Sequence, residues 1–483
     1  MTPPRQHQNI TLAALTAAGM AYAIQQTLVI PALPALQRDL HTSYTWVTWV
    51  LTGFLLSSSA LTPLLGRLGD QHGKERLLVI SLAIFLAGTI GAAFAWNIGS
   101  LIGFRVLQGT GGAVFPLSFA IIADEFPRER VGLAMGLVSA VLGAGGGLAL
   151  VASGLIVDHL SWRWLFVIGA IVVAIALALV VRFVPESPVK TPSRLDIPGA
   201  LLLAAGLTSL LVALSEGQNW GWTSAPVLGL FLLAAVLLGI FAVVELRVPA
   251  PMVDMHMMAR RPVLFTNLTA VVAGFAMFGA FVLIPGFVET PDGLSASVAA
   301  KVPYGFGASA TKAGLYLLPG SLMTLVAGPL AGIMGRRVGS RWPLALGMLL
   351  VATGAASFAM FHDHAWQIVA GMIVLGTGIG FAFAAMPKLI SDAVDQTETG
   401  VANGMNTVMR SVGGVVGGQV GAALVSSWVI AGTTVPAVTG YTAAFWVSAV
   451  AALAGVGIAL LIAPGRRARA RAAEAVRATA GSS

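Results

Sequence analysis

The chain has 483 residues, 57% of them apolar and only 10% charged, with 11 Trp, 57 Gly and no Cys. Its mean hydropathy is +0.88; a soluble domain carries about 25% charged residues, so a water-soluble globule is excluded, and without Cys so are disulfide frameworks and thiolate chemistry. The formal net charge of +8 raises nucleic acid as a partner, and only the placement of the charges can decide that.

At about 20 residues per span, the apolar runs predict an all-α polytopic membrane protein of fourteen transmembrane helices. Helices 1 to 7 are expected at 10–34, 45–65, 77–96, 99–123, 132–157, 162–184 and 197–215. Helices 8 to 14 are expected at 225–246, 263–288, 312–333, 343–361, 366–390, 401–428 and 441–463. The first run is longer than a signal-peptide core and lacks a small-residue cleavage site, so it is expected to remain as a span.

With the N-terminus inside, 21 Lys and Arg residues fall on the cytoplasmic side and four outside (Arg38, Arg163, Lys301 and Lys312). Arg105 and Arg410 stand within helices. The bias places both termini in the cytoplasm. It sets the Arg-rich tail against anionic membrane lipid and leaves nucleic acid no role. The preference for Arg over Lys suits a high-GC bacterial genome, hence a bacterial cytoplasmic membrane.

An internal repeat divides the chain. Pro63, Leu64, Gly66, Gly69 and Gly73 recur as Pro329, Leu330, Gly332, Gly335 and Gly339, each 266 residues on. Gly132, Ala134, Gly136, Gly145 and Gly146 recur as Gly400, Ala402, Gly404, Gly413 and Gly414, 268 residues on. The shift spans eight helices, two more than a six-helix repeat. Two pseudo-symmetric six-helix bundles (1–189 and 256–465) are therefore expected around an inserted pair, helices 7 and 8 (190–255), followed by a basic tail (466–483). An even shift makes the halves parallel repeats, an arrangement that encloses a midplane site and alternates its access.

On these residues the chain resembles the major facilitator superfamily, in particular its fourteen-span drug/proton antiporter branch. The loop at 66–76 resembles that family's loop between helices 2 and 3. It implies a gating latch of Gly66, Asp70, Gly73 and Arg76, with Asp70 on an Arg or a helix N-terminus. Asp124, in the acidic and basic turn at 123–130, is the expected partner of Arg76 or Arg67. The run at 101–113 resembles the family's helix-4 motif, whose Arg is linked to proton transfer. Arg105 and Gln108 lie on one stripe of that helix. Arg105 then either faces a cavity or is satisfied by carbonyls or by Gln108. Arg410 lies on a comparable stripe of helix 13, which its glycines also mark for close packing.

Two positions depart from the family pattern. Gln25 stands where helix 1 has its membrane Asp, and Leu150 where helix 5 has the antiporter-motif Pro. All 19 Asp and Glu residues fall in loops, the tail or helix ends, and all seven His outside the spans. No midplane carboxylate or imidazole is therefore expected to carry a proton, and coupling would move to Asp124 or Glu289 at the edges. A neutral or anionic substrate meeting Arg105 suits this better than a dication. Expected cavity residues are Tyr22, Gln25, Gln26, Trp46, Trp49, Arg105, Gln108, Asn267, Phe278, Asn406 and Arg410.

The resemblance implies a secondary transporter exporting small amphipathic compounds, such as drugs, antibiotics or lipid-like metabolites, by alternating access with proton antiport. The alternative is a uniporter or importer of a neutral or anionic amphiphile. A membrane-embedded enzyme is the second alternative, and the spans offer it no metal pair and no base beside a nucleophile. No cofactor and no metal are expected.

Overall fold

The computed structural model describes residues 5–42, 44–187, 196–248, 251, 253–290, 302, 304–433 and 435–462. The expectations for Lys190, Arg194, Asp292, Lys301 and the basic tail lie outside these residues. Fourteen helices are long and apolar enough to cross a membrane. The first seven are Gln8–Ala32 (α1), Trp49–His72 (α2), Lys74–Ala93 (α3), Ile98–Glu125 (α4), Arg128–Val157 (α5), Arg163–Phe183 (α6) and Pro198–Gly217 (α7). The others are Ala225–Glu245 (α8), Arg261–Glu289 (α9), Thr311–Val338 (α10), Arg341–Met360 (α11), Ala365–Ala393 (α12), Gln396–Ser427 (α13) and Val438–Leu460 (α14). Among the described residues there is no β-sheet, only an isolated bridge between Val429 and Pro436.

Local sequence explains where these helices start and bend. In α1 the α-helix stops at Thr27, and a 3-10 turn at Ile30–Ala32 leads into a short helix, Leu33–Asp39. Pro31 and Pro34 lack the N–H that a continuing helix needs. Asn97 caps α4 by accepting from the Ser100 amide at 2.8 Å, and the Ser100 hydroxyl accepts in return from the Asn97 amide at 3.2 Å. Further along, Gly109–Ala113 tightens to 3-10 geometry before the α-helix resumes at Val114. That segment is wholly buried, with Gly112 against the Ser58 and Thr62 hydroxyls of α2.

Helices α1 to α6 pack among themselves, with α1 on α5 and α6, α2 on α4, and α3 on α4 and α6. In the other half α9 packs on α13 and α14, α10 on α12, and α11 on α12 and α14. The halves meet along two seams, α5 against α10 and α2 against α13. Helix α8 packs chiefly on α7, and α7 lies on both α2 and α13. Trp220 and Trp222 beyond α7 are exposed; the Gln218 side chain is outside the described residues.

Both seams close on the repeated glycines. A Cβ added to Gly66 would lie 2.7 Å from the Gly400 carbonyl oxygen, and one on Gly132 would lie 3.3 Å from that of Gly332. Gly404 lies against the Pro63 backbone and Gly136 against Pro329. Each α2–α13 contact therefore has its repeat-related copy between α10 and α5. Helix backbones approach this closely only where side chains are absent.

Candidate functional site

The latch forms where α2 turns into α3. Gly73 takes φ 120° there, a backbone conformation open to glycine at no steric cost. The turn brings Lys74 to the first position of α3 and into the protein, where its side chain, like those of Asp70 and Asp124, is fully buried. Its ammonium donates to Asp124 Oδ2 at 2.5 Å and to the Gln396 carbonyl at 3.3 Å, and lies 3.6 Å from Asp70 Oδ1. Asp70 accepts from the Gly400 amide at 3.3 Å and the Val401 amide at 3.1 Å. These amides belong to the first turn of the helix Thr399–Ser427, where unpaired N–H groups and the helix dipole favour an anion. Ser187 donates to Asp124 Oδ2 at 2.5 Å.

This corrects the expected pairing. Asp124 meets Lys74 rather than Arg76 or Arg67, because Lys74 alone is carried inward by the Gly73 turn. Arg76 joins the region through its backbone amide, 3.4 Å from Glu186 Oε2. The glycines also divide their work: the α2 helix runs on to His72, so only Gly73 makes the turn, while Gly66 and Gly69 face α13 and Leu117. Lys74 and Ser187 were missed from sequence, although the i,i+4 spacing of Asp70 and Lys74 is an ion-pair signature. At the position matching Asp70 in the second half, Arg336 donates to the Glu129 carbonyl at 3.0 Å. The copied latch has opposite polarity.

Arg105 is enclosed within the first half. Its Nε donates to the Val50 carbonyl at 2.9 Å, and its Nη1 to the Gln25 carbonyl at 3.1 Å and Gln108 Oε1 at 2.6 Å. Gln108 donates onward to Thr89 Oγ1 at 3.0 Å. The guanidinium lies 4.2 Å from the Phe54 ring centroid. One residue thus ties α1, α2, α3 and α4, and its Nη2 is buried without a partner. Gln25 points its amide at Gly169 of α6, and both amide atoms lack partners.

At mid-membrane the halves face each other differently. The Tyr22 hydroxyl of α1 bonds Ser58 Oγ of α2 at 2.9 Å, and its ring packs among Phe54, Phe85 and Phe115. Arg410 of α13 lies 4.5 Å from the Phe383 centroid of α12. One turn earlier Asn406 donates to Asn267 Oδ1 of α9 at 2.9 Å. Phe278 of α9 lies against Gly414, one turn beyond Arg410. Gln26 and Trp49 are half-buried, and Trp46 is exposed. The geometry thus groups Asn267, Phe278, Asn406 and Arg410 around α13 in the second half and keeps Tyr22, Gln25, Arg105 and Gln108 inside the first half.

Acidic groups in the helices are more buried than their positions at helix ends suggested. Besides Asp70 and Asp124, Glu245 is buried at the end of α8, where it accepts from the Val253 amide at 3.2 Å. Glu216 in α7 is 2% exposed, beside the Ser215 carbonyl that accepts from Gln419 of α13 at 3.4 Å. Glu289 is half-buried at the end of α9. Among the described residues no group of three His, Cys, Asp or Glu is placed to hold a metal.

Residues 15–312 and 268–481 each match the sequence profile of the Major Facilitator Superfamily, the two matches together covering most of the chain. The chain belongs to the Major Facilitator Superfamily. It is 30% identical over 400 residues to multidrug resistance protein 3 of Bacillus subtilis, covering 82% of this chain and 75% of that one. It is 29% identical to the multidrug transporter protein MdtP of the same organism, covering 82% and 71%. It is 28% identical to the tetracenomycin C resistance and export protein of Streptomyces glaucescens, covering 86% and 76%. The fold is also that of the human organic anion transporter MFSD10 (TETRAN), with a TM-score of 0.66 at 14% identity over 95% of this chain and all of that one. As a member of the Major Facilitator Superfamily the protein is a secondary transporter rather than an enzyme.

Proposed function

We propose that this transporter exports small amphipathic, drug-like compounds from a bacterial cytoplasm or inner leaflet, with both termini cytoplasmic. In this reading residues 1–189 and 256–465 are the two moving bundles and 190–255 an insertion outside the path. The supporting observation is the seam itself: α2 and α13, from opposite halves, meet along repeated glycines, and Asp70 ties them together at one end through the Gly400 and Val401 amides. The names of the relatives, multidrug transporters and an antibiotic export protein, support export and drug-like cargo.

Substrate contact falls in this reading to Tyr22, Asn267, Phe278, Asn406 and Arg410, with Gln26, Trp46 and Trp49 toward the outer mouth. Gln25, Arg105 and Gln108 act one layer behind. Proton antiport would use carboxylates at the edges, Asp124 in the latch and Glu289 on α9, with Glu216 of α7 as a third. A second reading, uniport or import without a midplane proton site, is favoured by Gln25 standing where the family has an acid. Everted vesicles given neutral, anionic and cationic fluorescent amphiphiles, with and without an imposed pH gradient, decide between them. Gradient-driven accumulation supports antiport export; flux that ignores the gradient supports uniport.

A further inference from the structure

Arg105 and Arg410 both bring a fixed positive charge into the apolar interior, and the structure treats them oppositely. Arg105 has three acceptors within the first half. Arg410 is only 9% exposed. Among the described residues it has the Phe383 ring face and no carboxylate or hydrogen-bond acceptor. A guanidinium carries five N–H donors in a planar fork. Unlike the Arg105 Nη2, no Arg410 nitrogen is both sealed from solvent and unpartnered, so its donors are left open to a ligand.

The surroundings narrow what that ligand can be. Of the buried carboxylates, Asp70 and Asp124 share Lys74, Glu245 accepts from the Val253 amide, and Glu216 lies on α7, next to the Ser215 carbonyl that Gln419 of α13 reaches. The neighbouring surface is aromatic: Phe383 lies under the guanidinium, and Phe278 packs on Gly414 one turn away. A cation here would meet like charge in a low-dielectric setting. A planar oxyanion would find a two-pronged donor beside a hydrophobic wall.

We infer that Arg410 anchors the anionic group of the transported compound, a carboxylate, sulfonate or phosphate on an apolar, ring-bearing body. The inference rests on the export reading for the site's use, and names the substrate class that the site selects. Bound there, such an anion neutralises Arg410 and supplies the acceptors that the fold withholds from its fork.

The test uses three dansyl amphiphiles of one scaffold: dansylaminoundecanoate, its methyl ester and its trimethylammonium analogue. Binding to the purified full-length protein is read by energy transfer from Trp to dansyl. The carboxylate is expected to bind about tenfold tighter than the ester, the difference one charged hydrogen-bonded contact makes. Arg410→Gln should erase that preference, bringing the affinity for the acid to that for the ester. Arg410→Lys, which keeps the charge and loses the fork, should fall between and serves where the Gln variant is not monodisperse. Equal binding of acid and ester by the wild type, tightest binding of the ammonium compound, or wild-type acid affinity in both variants would overturn the inference. Uptake of the bound probe into everted vesicles is scored separately. Acid binding that needs Arg410, without transport, leaves the anchor standing and removes the export reading.

Discussion

Gly66 on α2 and Gly400 on α13 meet backbone to backbone, and Gly332 on α10 and Gly132 on α5 repeat the meeting at the repeat-related place. The two seams between the halves are thus built from one ancestral contact used twice. The chemistry laid over them is not symmetrical: Asp70 binds the start of α13 through its carboxylate, whereas Arg336 reaches the start of α5 as a donor.

Substituting Gly66→Val tests whether closing this seam is required. The new Cβ would stand 2.7 Å from the Gly400 carbonyl, and overpacking of this kind costs about 1–3 kcal/mol. Transport should drop about tenfold or more with the protein still present in the membrane. Gly457→Ala, whose Cβ enters open space, should transport normally. Equal activity of the two variants would show that the close approach is incidental.

Removing Lys74 should be worse than removing either acid. Lys74→Met leaves two buried carboxylates without their cation, a loss of about 3–5 kcal/mol, and should lower the unfolding temperature of the detergent-solubilised protein. Asp70→Asn keeps the Lys74–Asp124 pair and loses a charge at a helix start, about 1–3 kcal/mol. The double variant Lys74→Met, Asp124→Leu should recover part of the loss. No recovery would mean that the ammonium matters for its contact with Gln396 rather than for charge balance.

Arg105→Ala should lower transport and thermal stability together, because each charged hydrogen bond it makes contributes about 1.5–3 kcal/mol and the bonds join α4 to α1 and α2. Thermal unfolding followed by size-exclusion fluorescence separates the roles. Lost transport at an unchanged unfolding temperature would put Arg105 in the transport step itself.

Gln25→Asp returns an acid to the family position. The Arg105 Nη2 is buried without a partner, and Arg105 already bonds the Gln25 carbonyl, so a carboxylate there has a cation at hand. Transport in the variant should depend more steeply on ΔpH than in the wild type. An identical dependence would place coupling elsewhere, with Glu216 the next residue to neutralise.

Hydropathy was enough to foresee fourteen spans, since it follows from a pattern along the chain; the recurring glycines signalled a repeat, but not that they meet across the two seams. Arg105 with Gln108 was also legible, because i,i+3 spacing puts both on one helix face. What could not be read was direction. Lys74 was counted with the positive charges of the cytoplasmic side, and only the Gly73 turn sends it inward to Asp124. Gln25 sits on α1 as the family pattern implied, yet its amide turns to Gly169. For Arg410 the sequence left a cavity and helix packing both open, and only the fold sets its guanidinium against the Phe383 ring. Such facts depend on how helices rotate against one another, which no single helix encodes.

The resting place of α7 has a mechanical consequence. It lies across α2 and α13, the pair of helices that must separate if the cytoplasmic end opens, and it holds α13 through the Gln419 bond to the Ser215 carbonyl. If the two halves swing apart as proposed, α7 has to stay with one and slide over the other, so its bond to α13 would add to the resistance of each swing.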